Sequence, residues 1–249
     1  MGKVEVIPLD GIPEVTRGAD VAVIIMSALG RLEMGLKERD IVVVKQKVVS
    51  KAEGQVVRLS DVVPGRRAEK IAKKSGKDPR LMELVLRESV RVVRSGHGVI
   101  ITETKHGFVC ANSGVDQSNV GKGRACLLPV DSDLSALRIR KALEARARVH
   151  LAVVITDTFG RPWRRGQTDV AIGCSGIDPL LSFKGRADKF GYALRVTEPA
   201  VVDEVAGAAE LVMGKLERVP VAIVRGVRYA RGRDGVKSMI MEKRRDLFR

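Results

Sequence analysis

Aromatic residues make up only 3% of this 249-residue chain, with a single Trp. That is too few for the stacking platforms on which single-stranded nucleic-acid binders depend. Histidine is just as scarce. His97, His106 and His150 do not stand at a histidine-to-carboxylate spacing that suggests a metal triad, and all three read as structural or solvent-facing. The three cysteines, Cys110, Cys126 and Cys174, are odd in number, lie in or beside apolar runs and form no Cys-x-x-Cys pair. A disulfide framework and a zinc site are therefore disfavoured, and reduced, buried thiols in a cytoplasmic protein are expected. No apolar run approaches the roughly 18 residues of a membrane span, and no basic-then-apolar leader opens the chain, so neither insertion nor export is expected. The Gly-x-x-x-x-Gly-Lys-Ser/Thr phosphate loop and any Ser-His or Cys-His nucleophile arrangement are missing too.

Positive charge is abundant. Lys and Arg number 45 against 30 Asp and Glu, a formal net charge of +15. Nucleic acid would explain such a balance, but the basic residues are spread over the whole length, and a small polyanionic ligand fits equally well. The length allows a large core, in one big domain or two interlocked smaller ones.

Residues 149–169 stand out, because the chain's most apolar β-type segment here runs into its most polar loop. Residues 151–155 read as a strand buried on both faces, with Asp157 emerging where the sheet stops, and ligands bind at the carboxyl ends of such strands. Asp157 and Thr158 offer hard oxygens for Mg2+ or Mn2+, while Arg161, Arg164 and Arg165 carry donors for phosphate or carboxylate. The alternative is that Asp157 caps a turn and the arginines form a solvated loop.

Earlier in the chain, residues 4–7 alternate as a strand, residues 20–29 read as a helix capped by Asp20 and stopped by Gly30, and residues 41–44 form a strand. That strand meets Lys45, Lys47, Ser50 and Lys51, a set able to hold phosphate oxygens or, equally, to form a solvated edge. Residues 66–95 read as helical, with a stop at Gly76 and a restart at Asp78-Pro79, and with Leu81, Leu84, Val85 and Val92 on one face. A hairpin over residues 99–111 empties into a loop, residues 112–123. There Asp116 is the metal-donor candidate, against the alternative of an Asx-rich turn satisfying its own backbone. Residues 125–130 return as a strand, and residues 133–148 form a basic helix with Leu134, Leu137 and Leu143 inward. A strand over residues 193–197, a small-residue helix to Met213, a strand over residues 221–224 and a charged terminal helix over residues 238–249 complete the reading.

Ser50-Lys51-Ala52-Glu53-Gly54, the run from Gly114 to Val120, the run from Ile155 to Gly166, and Met213-Gly214-Lys215 with Val224-Arg225-Gly226 together resemble the coenzyme F420:L-glutamate ligases, or F420-0 γ-glutamyl ligases. The resemblance implies an α+β fold of mixed β-sheets with helices in intertwined subdomains, a single ligase domain over residues 1–249, and a homodimer. It implies GTP as co-substrate, Mg2+ or Mn2+ as cofactor with K+ as a further candidate, and L-glutamate and F420-0 as the other substrates. The chemistry implied is an acyl phosphate attacked by the glutamate amine, with later glutamates γ-linked. By position, Asp116, Asp157 and Thr158 resemble metal ligands. Ile12, Pro13, Glu14, Val15, Gln46, Lys47, Lys51, Asn119, Met213, Gly214, Lys215 and Leu216 resemble nucleotide contacts. Arg161, Arg164 and Arg165 are assigned by charge to the anionic groups of the coenzyme, whose ring would rest on Trp163, Phe159 or aliphatic side chains. Where archaeal members are expected to carry an acidic metal ligand and a serine-threonine pair, this chain has Lys215 and Gln46-Lys47. Gly214-Lys215-Leu216 instead looks like a bacterial branch fused to a nitroreductase-like domain. Rival readings are an amide ligase for another carboxylate, a non-catalytic nucleotide binder and a basic nucleic-acid binder.

Overall fold

Apolar β-branched runs dictate the centre of the molecule. In the computed structural model, which describes residues 2–247, β1 (Glu5–Pro8), β2 (Ile41–Lys45), β8 (Ala152–Arg161), β9 (Arg164–Ser175) and β10 (Val221–Arg225) make one five-stranded sheet. Its order is β1-β10-β2-β8-β9, with β2 and β8 parallel and every other pair antiparallel. Strand side chains alternate between faces. Val42, Val44, Val153, Ile155 and Ile223 pack on one side with α1 (Val21–Arg31) and α5 (Ser132–Ala147). Ile41, Val43, Ala152, Val154, Ala222 and Val224 pack on the other with α6 (Val201–Met213).

A third apolar cluster, around Leu59, Met82, Val85, Ile100, Ala125 and Leu127, gathers the middle of the stretch between β2 and β8. It holds α3 (Arg66–Ser75), α4 (Pro79–Arg87), the ribbon of β3 (Val56–Arg58) with β7 (Arg124–Cys126), and a sheet of β4 (Ser89–Gly96), β5 (Val99–Thr104) and β6 (Val109–Ala111). The fold is α+β with mixed sheets. Among the described residues no helix is long and apolar enough to cross a membrane.

Local signals account for most boundaries. Asp20 accepts from the Val23 amide at 3.1 Å and caps α1, Gly76 ends α3 at φ 68°, and Asp78 with Pro79 opens α4. Other expectations fail for identifiable reasons. Helix α1 runs through Gly30 to Arg31. Helix α4 stops at Arg87, and residues 89–96 are strand because their β-branched residues and the cross-strand Arg91–Glu103 pair at 2.6 Å override the helical spacing. Residues 193–197 form no strand beyond the bridge Ala187–Ala193. Leu134 is exposed rather than inward. The terminal segment has short 3-10 turns at Val236–Met239 and Lys243–Arg245 in place of a helix, and residues 248 and 249 lie outside the described residues.

Residues 156–169, at the site, depart from the expected loop. They are not a loop beyond the sheet; β8 continues through Asp157 and folds back as a long hairpin, with pairs from Thr156–Ala171 to Arg161–Arg164. Strand β2 stops at Lys45, opposite Thr156, and turns at once into α2 (Gln46–Ala52). Asp157 is therefore the first residue of β8 with no partner on that edge.

Candidate functional site

The end of β8 separates its side chains into two polar clusters. On the α2 side, Lys47 donates to Asp116 Oδ2 and to Ser118 Oγ. Ser118 donates its amide to Asp116 Oδ1 at 2.9 Å and its hydroxyl to Oδ2 at 2.7 Å, and Asp116 is anchored by two backbone bonds to Cys126, at 3.0 and 2.7 Å. Burial works against the Asp116 carboxylate, yet Lys47 and Ser118 outweigh it and hold the group below the usual range. Asp157 has no such set of donors. Burial, reinforced by Asp169 and Asp116, pushes its carboxyl up to about 7, against relief from its neighbour's amide and from Lys47. The Asp116 carboxylate and the Lys47 ammonium paired with it thus both lie within electrostatic reach of Asp157.

That arrangement fits a divalent cation. A desolvated carboxyl short of positive charge, beside an ionised one, is a hard-oxygen pair whose energetic deficit a bound cation would remove. Among the described residues no group of three His, Cys, Asp or Glu converges on one point, so hydroxyls, water or substrate oxygens would complete any coordination shell.

Neighbouring α2 supplies further donors. Lys51 reaches Glu14 at 2.6 Å, and Gly18 donates to the Ala52 carbonyl at 2.8 Å, which ties the loop holding Ile12, Pro13, Glu14 and Val15 to the helix. Ser50 donates to Gln46 Oε1 at 2.8 Å, and the buried Gln46 Nε2 has no partner among the described residues. Asn119 is exposed in the same loop as Asp116 and takes φ 57°, a left-handed conformation that asparagine tolerates.

On the α6 side stands the second cluster. Thr156 and Thr158 both donate to Asp169, at 3.2 and 2.5 Å. Lys215 donates to Thr158 Oγ1 and pairs with Glu210 at 2.9 Å and Asp169 at 3.6 Å. Lys45 pairs with Glu210 at 2.8 Å and donates to the Gly214 carbonyl. Desolvation opposes the charge on both Glu210 and Lys215, but the mutual contacts prevail, holding Glu210 below and Lys215 above their ordinary ranges. Met213 is buried, while Leu216 is exposed.

The structure therefore brings Asp116, Asp157 and Lys47 together, with Lys51 and Gln46 on the same helix, and turns Thr158 toward Asp169 and Lys215. Arg161, Arg164 and Arg165 are exposed around the hairpin tip, where Arg161 donates to the Arg165 carbonyl at 3.2 Å. Trp163 is 79% exposed there, whereas Phe159 packs edge-on against Phe108. Sequence reasoning singled out neither Asp169 nor Glu210. Asp169 had a usable signal as the lone carboxylate ending a polar run, while Glu210 is one acid in a helix of small residues.

Similarity to known proteins bears on this geometry. Residues 11–226 match the family described as F420-0:Gamma-glutamyl ligase. The chain is 44% identical to the "Coenzyme F420:L-glutamate ligase" of Methanothermobacter thermautotrophicus, over 99% of each chain. It is 44% identical to the protein of that name from Methanocaldococcus jannaschii over 86% of each, and 40% identical to that of Methanopyrus kandleri over 99% of this chain and 97% of the relative. These relatives are archaeal and lend no support to the expected closeness to a bacterial fused branch. With the family match spanning both polar clusters and four of the five strands of the sheet between them, the chain belongs to the F420-0:γ-glutamyl ligase family.

Proposed function

We propose that this protein is a GTP-dependent ligase that adds L-glutamate to F420-0 and extends the γ-linked tail. The observation that carries the reading is the undercompensated carboxyl of Asp157, where β8 outruns β2, within electrostatic reach of the Asp116–Lys47 pair. Asp116 and Asp157 are the residues proposed to hold Mg2+ or Mn2+, which when bound neutralises triphosphate charge, while Thr158, its hydroxyl engaged by Asp169 and Lys215, stands outside that pair. Lys47 and Lys51 place point charges on phosphate oxygens. Gln46 offers its unpartnered amide, and Asn119, the Ile12 to Val15 loop and the Met213 to Leu216 loop frame the nucleotide. Arg161, Arg164 and Arg165 hold the coenzyme's phosphate and carboxylates, and K+ is a candidate monovalent partner.

Phosphoryl transfer from GTP to the coenzyme's terminal carboxylate gives an acyl phosphate, and the glutamate amine then displaces phosphate to form the amide. Such a reaction depends on alignment and charge neutralisation more than on a protein nucleophile. The buried, unpaired thiols support a cytoplasmic setting. Exposed Phe190, Tyr192 and Val196 support a homodimer, to be read by sedimentation.

Incubation with GTP, L-glutamate, F420-0 and Mg2+ followed by mass spectrometry tests the reading. Products heavier by whole glutamyl residues, formed only with nucleotide and metal, are expected. No mass increment, or one independent of nucleotide, contradicts it.

A further inference from the structure

The two clusters differ in their charge count. On the α2 side Lys47 pairs with Asp116, and Asp157 has no ion-pair partner among the described residues. On the α6 side Asp169 and Glu210 face two ammonium groups, Lys45 and Lys215. Thr158 Oγ1 is committed as well, since it donates to Asp169 and accepts from Lys215. A hydroxyl in that state has no room for a divalent ion, because ion and ammonium would compete for the same oxygen and repel one another.

The geometry points to Lys215 as a tethered cation: its ammonium, clamped by Asp169, Glu210 and Thr158, fills the position at Thr158 that a divalent ion would otherwise take and presents a fixed positive charge to the nucleotide phosphates. This deepens the ligase reading and rests on it for the identity of the ligand. Lys215 is then the residue that sets how many divalent ions the chain takes. Thr156 and Asp169 act through it, the first holding the carboxylate that the second offers to the ammonium. Exposure of about half the Lys215 side chain leaves its outer side open to a ligand.

The test is a count of bound Mn2+ by electron paramagnetic resonance, on the wild-type chain and on Lys215→Glu. Replacing the ammonium by a carboxylate leaves Asp169, Glu210, Thr158 and the new acid as a hard-oxygen set, and one additional Mn2+ per chain is expected. The same count in both proteins overturns the proposal. Lys215→Gln, which removes charge without adding a donor, guards against a misfolded acidic variant. Its affinity for a non-hydrolysable GTP analogue is expected to fall at least about tenfold, the order of one charge-assisted contact, with the Mn2+ count unchanged. Undiminished affinity contradicts the phosphate role. Glutamylation by the wild-type chain is scored separately, so failure of the ligase reading shows as missing product and failure of the tethered cation as an unaltered ion count.

Discussion

The α2 face and the α6 face of the same strand end use similar residues to opposite effect. On the α2 face, burial leaves Asp157 undercompensated, with its carboxyl near 7; on the α6 face, lysines compensate both carboxylates and hold Glu210 ionised. Strand alternation alone puts Asp157 and Thr158 on different faces, and the early end of β2 at Lys45 exposes the edge between them. The comparison teaches that consecutive polar residues need not serve one ion. A deficit of positive charge marks where a cation from solution is wanted, and a balanced cluster marks where the chain supplies its own.

The sharpest way to break the contrast is Asp157→Asn. Loss of one of two hard-oxygen donors is expected to reduce glutamylated product by more than ~100-fold and to weaken Mn2+ binding in parallel, with an unchanged circular dichroism spectrum. Full activity in a folded variant would erase the distinction between the faces. Lys47→Met comes next. It removes the ammonium paired with Asp116 on the α2 face, so KM for GTP is expected to rise roughly tenfold while Mn2+ affinity does not fall; weaker metal binding would show that Lys47 supports the ion instead of competing with it.

Acidity separates the faces further. A carboxyl raised from 3.8 to about 7 binds its proton more tightly in the folded chain than in the unfolded one. Its contribution to metal-free stability is therefore full below pH 4 and is lost as pH rises to about 7, by up to ~1.4 kcal/mol per pH unit. The difference in melting temperature between wild type and Asp157→Asn should follow that window. Because the proton must leave before metal binds, Mn2+ affinity should climb by up to about tenfold per unit below pH 7 and level off above it. A flat profile would place the undercompensated carboxyl elsewhere. The smallest effect belongs to Thr156→Val on the α6 face. Deleting a buried hydroxyl that donates to Asp169 is expected to lower stability by about 1–3 kcal/mol, measured by urea unfolding, with the Mn2+ count unchanged.

Much of this was legible in the residues. Apolar runs located the sheet strands, Asp20, Gly76 and Asp78-Pro79 marked helix ends, and the segments around Lys51, Asp116, Asp157 and Lys215 pointed to the family. What hid the division into two faces was the composition of residues 156–161. Thr, Asp, Gly and Arg read as loop, yet pairing with β9 keeps them extended, and only an extended chain sends Asp157 and Thr158 apart. The lysines misled for a related reason, because Lys45 ends a strand and Lys47 lies in a helix, so neighbours in sequence serve opposite clusters. Residues 89–96 show the same override of local pattern by cross-strand pairing.

Anomalous diffraction from crystals grown with Mn2+ tests the central contrast most directly. An ion at about 2.0–2.2 Å from oxygens of both Asp116 and Asp157, with the Lys215 ammonium still seated on Thr158, is the predicted result. An ion coordinated by Thr158 with Lys215 displaced, or none between the two aspartates, would contradict it.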